Sequence, residues 1–355
     1  MQIKRRRSRL VLVRGVKIGA ANPVVIQSMA KTKSSDVEST LRQIDSLNSV
    51  GCQIVRLAIK DFDDAKALKQ IKKHSVLPLV ADIHFDRRLA IAAIENGADK
   101  IRLNPGNIGQ ESHIREVVSA LKSAKIPLRI GLNSGSVAGV KARAGLSMAD
   151  KLVKAALGYI RKIEEMKFRD IVVSLKANNV LDTVEAYRKI AKLCDYPLHL
   201  GVTATGAPYQ GLVKSSIALG DLLLDGIGDT IRVSLTDRPE EEVRAAKCIL
   251  ESLGERNFGV QLISCPTCGR CQVDLVNIVK KLEFLLVGKS RKESGRPLKV
   301  AVMGCVVNGP GEAKEADLGI AFGKGEGLFF KKGKPVKKVS AKECVTFLLK
   351  EIRKA

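Results

Sequence analysis

Three cysteines stand within seven residues, in Ser264-Cys265-Pro266-Thr267-Cys268-Gly269-Arg270-Cys271. A fourth, Cys305, lies in Met303-Gly304-Cys305-Val306-Val307-Asn308-Gly309-Pro310-Gly311-Glu312. Thiolates this close repel one another, so the C-x2-C-x2-C spacing needs a metal or a cluster to justify it. Iron–sulfur clusters accept three near cysteines and a remote one. Zinc ribbons use two close pairs, and the second pair is missing: Cys305 stands apart and Cys344 falls on the last predicted helix. Spacing favours iron–sulfur and leaves zinc or unligated thiols open. Pro266 and the run Asn308-Gly309-Pro310-Gly311 keep the flanking backbone tight, with N–H groups available to sulfide.

A second set of chemical groups recurs at the ends of apolar runs. Eight strands are expected, at Val24–Met29, Gln53–Ala58, Leu77–Ile83, Lys100–Leu103, Leu128–Leu132, Asp170–Leu175, Pro197–Val202 and Thr230–Ser234. Helical segments alternate with them, one capped by Asp36 and ended by Gly51, another running from Asp86 to Gly97. Eight strand–helix alternations predict a TIM (β/α)8 barrel, whose chemistry sits at the C-terminal strand ends. Those ends offer Gln27, Ser28, Arg56, Asp82, His84, Arg102, Asn104, Arg129, Asn133, Ser174, Lys176, His199, Thr203, Arg232 and Ser234. Four arginines and a lysine converging there suit the oxygens of two phosphates. Lys176 could alternatively form a Schiff base with a carbonyl substrate. His84 is an acid/base candidate.

The expected domains are a substrate-binding barrel over residues 1–254 and a small α+β module over 255–355. No G-x-G-x-x-G follows the first strand, which removes the main support for a dinucleotide fold. Val11–Ala20 reads as a hairpin ahead of the barrel. With 355 residues, 45% hydrophobic and 28% charged, the chain can bury a large core. The net charge of +24 draws anions. Aromatics are 4%, with no Trp, which is poor material for stacking nucleic-acid bases. No run approaches a membrane span, and Arg14 and Lys17 interrupt the apolar stretch a signal peptide would need. The expectation is a cytoplasmic protein whose cysteines are thiols or ligands.

The cysteine segments closely resemble the flavodoxin- or ferredoxin-dependent bacterial 4-hydroxy-3-methylbut-2-enyl diphosphate synthase family. So do Leu198-His199-Leu200-Gly201, Val213-Lys214-Ser215, Gly226-Ile227-Gly228-Asp229-Thr230 and Ile231-Arg232-Val233-Ser234. These motifs span nearly the whole chain. The resemblance implies the two-domain bacterial form, reductive opening of 2-C-methyl-D-erythritol 2,4-cyclodiphosphate, and loss of water in the non-mevalonate isoprenoid pathway. It implies one 4Fe–4S cluster on Cys265, Cys268, Cys305 and Glu312, reduced by flavodoxin or ferredoxin. An oxygen ligand is harder and yields more readily than thiolate, which suits a Lewis-acid role for one iron. Arg56, Arg102, Asn104, Arg129, Asn133, Ser174, Lys176, His199 and Arg232 are the expected substrate contacts, and Asp82, His84 and Glu312 the expected catalytic groups. A homodimer with lid-like closure is also implied, with neither nucleic acid nor membrane as partner.

Two departures stand out. The family usually has Thr-Glu-Ala-Gly where this chain has Thr203-Ala204-Thr205-Gly206, so a barrel carboxylate is replaced at Ala204. Thr203, Thr205, Asp82 or His84 remain as substitutes. Cys271 is an extra thiol; spacing alone makes it the fourth ligand, whereas the resemblance assigns Glu312. Rival functions are a Lys176 Schiff-base lyase on a phosphate-binding barrel and a basic zinc-ribbon nucleic-acid-binding protein.

Overall fold

Caps, apolar stripes and turns set the elements that carry these groups. The structure, a computed structural model, describes residues 3–84, 86–104, 110–137, 145–203, 205–286, 296–307 and 309–355; the side chains of 310 and 312 lie outside that description. The chain divides into two units, Met1–Arg256 and Asn257–Ala355.

The first unit opens with an antiparallel hairpin, β1 (Val11–Val13) and β2 (Val16–Ile18). Its Val13 and Ile18 pack on Val25, Ile54 and Val80 and close the lower end of the barrel. Each such buried side chain contributes about 1.5–3 kcal/mol. The barrel strands are β3 (Val25–Met29), β4 (Ile54–Ala58), β5 (Leu79–Ile83), β6 (Lys100–Leu103), β7 (Leu128–Asn133), β8 (Ile171–Lys176), β9 (His199–Leu200) and β10 (Thr230–Ile231). All pair in parallel in the order β8-β7-β6-β5-β4-β3-β10-β9, and a parallel bridge from Val173 to Leu198 joins the two ends. The predicted eight-stranded barrel is therefore present. Helices cover it, many started by a side chain that accepts a backbone N–H. Asp36 accepts from Ser39, Asp61 from Asp64, Asp86 from Arg88, Ser147 from Asp150 and Asn179 from Asp182.

β9 and β10 are shorter than the sequence suggested. Arg232 N still donates to Leu200 O at 3.0 Å, but beyond it side chains replace the ladder: Leu235 N donates to Glu242 and Thr205 Oγ1 donates to Ser234 O. Among the described residues no helix is long and apolar enough to cross a membrane.

The second unit is a five-stranded sheet, β11 (Val260–Ser264), β12 (Leu298–Met303), β13 (Leu318–Phe322), β14 (Glu326–Lys331) and β15 (Lys334–Ser340), in sequence order. The first three strands are parallel and the last two antiparallel. Alternation along β12 buries both faces: Val300 and Val302 meet Leu282 and Leu348 of two helices, while Ala301 and Met303 meet Ala313. Ala313 belongs to a short helix, Gly309–Lys314, where the sequence had suggested only a glycine-rich turn. Gly319 makes that close approach possible, since a Cβ there would collide with the Ala313 carbonyl.

Candidate active site

Strand register places the barrel cations side by side. Asp82 on β5 stands opposite Arg102 on β6, and Arg102 opposite Arg129 on β7. Lys100 lies two residues before Arg102 and so shares its inward face. Asp82 accepts from Arg102 Nη1 at 2.9 Å and lies 3.6 Å from Arg56 Nε. Arg102 also donates to Gly131 O at 3.0 Å, and its Nη1 lies 3.0 Å from His84 Nε2, which is in turn 3.6 Å from Asp82 Oδ2. Burial by itself would raise the Asp82 carboxyl, but Arg56, the hydrogen bond from His84, Arg102 and Arg129 outweigh it and hold it far below the usual range. It is a fixed anion among cations. Arg56 is pulled down to about 10, first by burial and against the pull of Asp82.

Three further cations, Arg129, Lys176 and Lys100, lack such compensation. Arg129 is enclosed, and neither its Nε nor its Nη1 has a partner among the described residues. Burial and then Arg56 and Arg102 press against its charge. Lys176, at the end of β8, is driven well below its ordinary value by burial, then by Arg232, Arg129, Arg56 and Arg102. Lys100 is fully buried with Gln27 Oε1 at 3.5 Å, and burial followed by Arg129 and Arg56 depresses it likewise. Two glycines make room: a Cβ at Gly131 would collide with Arg102, and one at Gly201 with Lys176. Arg232, just after β10, is clamped by Glu242 through Nε at 3.2 Å and Nη2 at 3.1 Å. Glu242 is itself buried and also accepts from Ser28 Oγ at 3.0 Å.

Several expected contacts sit differently from the strand-end reading. His199 is the first residue of β9, fully buried, with Nδ1 3.3 Å from Thr230 Oγ1 and Nε2 unpartnered. Burial, then Arg129, Lys176 and Lys100, keep it neutral. Asn133 spends its Oδ1 on Ser136 N at 2.9 Å, starting the short helix Ser134–Val137. Asn104 is buried with Oδ1 unpartnered, and Ser174 is buried across from Gly131. Thr205 is engaged with Ser234 O, and Ala204 lies outside the described residues. Lys100, Glu242, Gly131 and Gly201 were absent from the expected contacts. Alternation around Arg102 could have flagged Lys100; Glu242 lies on a helix, out of reach of a strand-end rule.

In the second unit, β11 and β12 run parallel, so their C-terminal ends bring Cys265 and Cys305 to one edge of the sheet. Gly304 N donates to Cys265 Sγ at 3.3 Å. Cys271 N donates to Cys268 O at 2.9 Å, and the loop between Cys265 and Cys268 turns through Thr267 at φ +59°. Cys271 Sγ faces inward, 3.3 Å from Val273 O and so close to Gly304 that a Cβ there would collide with it. Cys268 is exposed and Cys265 and Cys305 are half-buried. Glu312 lies on the helix Gly309–Lys314, and its side chain is outside the described residues. Among the described residues, no Cys, His, Asp and Glu side chains are grouped in threes as one metal ion would need. A four-iron cube reaches its thiolates at separate corners, which makes it less demanding than a tetrahedral ion. A soft donor set on one edge, with an amide N–H already aimed at a sulfur, fits an iron–sulfur cluster.

Two family models match the chain, the GcpE TIM-barrel domain over residues 8–247 and the GcpE protein C-terminal domain over residues 261–354. A relative from Fusobacterium nucleatum subsp. nucleatum, named 4-hydroxy-3-methylbut-2-en-1-yl diphosphate synthase (flavodoxin), is 54% identical over 98% of this chain and 96% of its own. A second of the same name, from Thermodesulfovibrio yellowstonii, is 52% identical over 99% of this chain and all of its own. Among solved structures, a dihydropteroate synthase from Coxiella burnetii matches with a TM-score of 0.51 at 14% identity, covering 70% of this chain and 99% of that one; the likeness is one of fold. Both units match one enzyme family, not a zinc-ribbon protein. With a barrel mouth of uncompensated cations and a cysteine edge suited to iron and sulfide, the chain belongs to the GcpE family of enzymes, oxidoreductases of isoprenoid biosynthesis.

Proposed function

We propose that the enzyme opens 2-C-methyl-D-erythritol 2,4-cyclodiphosphate reductively, releasing water and 4-hydroxy-3-methylbut-2-enyl diphosphate. The observation that carries this reading is the excess of buried positive charge inside the barrel and at its mouth. Arg129, Lys100 and Lys176 have no carboxylate partner among the described residues, and Arg56 and Arg102 share Asp82. Buried cations in this state need an anion, and a cyclic diphosphate supplies two phosphates on a small ring. Full-length relatives named for making this diphosphate support the same conclusion.

Cys265, Cys268, Cys305 and Glu312 would hold one 4Fe–4S cluster, with Cys271 packed behind them. When bound, that group supplies electrons singly and a Lewis-acidic iron. The barrel residues do the rest. Arg56, Arg102, Arg129 and Lys176 grip the phosphates and stabilise the diphosphate oxygen as its bond to carbon breaks. Arg232, held by Glu242, completes the grip. Two electrons enter and one proton leaves with the hydroxyl as water. His84 and Asp82 are the candidates for handling that proton, and His84 is the better donor because Asp82 is locked as an anion. Reduced flavodoxin, the donor printed in the relatives' names, is the proposed electron source, ferredoxin an alternative. A cytoplasmic homodimer is the proposed setting.

The test is an anaerobic assay of the iron- and sulfide-reconstituted chain with the cyclic diphosphate and dithionite-reduced viologen, product followed by phosphorus NMR. The proposal predicts a linear diphosphate. Lys176 trapped on substrate by borohydride, with turnover independent of any reductant, would instead establish a Schiff-base lyase.

A further inference from the structure

A cavity of about 500 Å³ lies beside the cationic mouth, at the C-terminal ends of β4 and β5. Asp82 and His84 line it, and both contact the Arg102 guanidinium. Ala58, Ile59, Phe62 and Leu89 give it an apolar wall. Two carboxylates beside it are already engaged: Asp61 accepts from Asp64 N and Asp86 is paired with Arg88. Phe62 opens a helix immediately after its Asp61 cap and is 43% exposed, with the Arg88 guanidinium 5.9 Å from its ring centre, so core packing alone does not account for it. Cavities of this size commonly take whole small ligands, mostly through apolar walls with a few polar groups at one end. A five-carbon cyclic diphosphate held on the central cations would leave room here for a longer hydrocarbon.

We infer that the barrel also binds acyclic diphosphate esters carrying a longer hydrocarbon tail. The diphosphate lies on Arg56 and Arg102, and the tail runs along Ile59, Phe62 and Leu89. The inference rests on the reading of the mouth as a diphosphate site, and adds a second ligand class that competes with the substrate. Such esters have no strained ring to open, so they occupy the site without turnover.

Calorimetric titration of the anaerobic full-length protein with inorganic pyrophosphate, dimethylallyl diphosphate and geranyl diphosphate tests it. Each methylene buried is worth about fourfold in affinity, so geranyl diphosphate should bind at least about tenfold tighter than pyrophosphate. Phe62→Ser should cut that gain to no more than about threefold while leaving pyrophosphate affinity and basal turnover unchanged. Pyrophosphate binding that no alkyl chain improves, or a chain-length gain indifferent to Phe62→Ser, overturns the inference alone. Loss of all diphosphate binding, pyrophosphate included, overturns the cationic-mouth reading and this inference together.

Discussion

The barrel mouth and the cysteine edge solve opposite problems. At the mouth, charge is buried before any ligand arrives: Asp82 fixes two arginines, glycines clear space for Arg102 and Lys176, and Arg129 is left unsatisfied. At the edge, the reactive groups sit on loops, with Cys268 exposed and the Gly304 amide aimed at Cys265. The mouth stores unfavourable charge in a rigid scaffold. The edge defers its order to whatever the thiolates bind. Stability should therefore respond to mutation in opposite ways in the two places.

The largest contrast is expected from Cys305→Ser. It should abolish reductive turnover and lower iron and sulfide content, with pyrophosphate affinity unchanged by calorimetry; a matching loss of pyrophosphate binding would erase the division of labour. Next comes Arg129→Met. Removing an enclosed, unpaired cation should raise stability by about 1–4 kcal/mol in urea denaturation, while kcat/KM falls by about 10²-fold or more. A destabilised variant would mean that Arg129 is satisfied in solution.

Asp82→Asn should act in the reverse sense. It leaves Arg56 and Arg102 without their shared anion and should cost about 3–5 kcal/mol at neutral pH. Because the folded carboxyl is held below its unfolded value, its contribution is present above about pH 4 and fades as pH falls through the folded value. The wild-type advantage over Asn should accordingly shrink in acid. The subtlest effect concerns Lys176, whose ammonium is disfavoured by burial first and by neighbouring cations second. A bound diphosphate restores the charge, so binding takes up protons and affinity falls as pH rises. Calorimetry in buffers of different ionisation enthalpy should detect that uptake, and Lys176→Met should reduce it.

Much of the molecule was legible in its residues. Short apolar runs with capped helices between them gave eight parallel strands, because inward alternation and Asp caps are local signals. Arg56, Arg102 and Lys176 were found by reading strand ends. Depth was not legible: the sequence pattern suggests strand-end groups at Arg129 and His199, but they stand near the starts of β7 and β9. Glu242 escaped because a helix carries it across space to Arg232. The helix Gly309–Lys314 was hidden by its glycines and proline, and its formation depends on packing of Ala313 against Gly319. The cysteine spacing pointed to ligands, and parallel β11 and β12 bring Cys265 and Cys305 to one edge, but spacing did not choose between Cys271 and Glu312.

The most direct measurement counts electrons. Reconstituted protein, fully loaded with iron and sulfide, is titrated anaerobically with reduced viologen in the presence of excess cyclic diphosphate. The account predicts two electrons consumed for each linear diphosphate formed. A fully loaded protein that binds the cyclic diphosphate yet consumes no electrons and forms no linear product would contradict it.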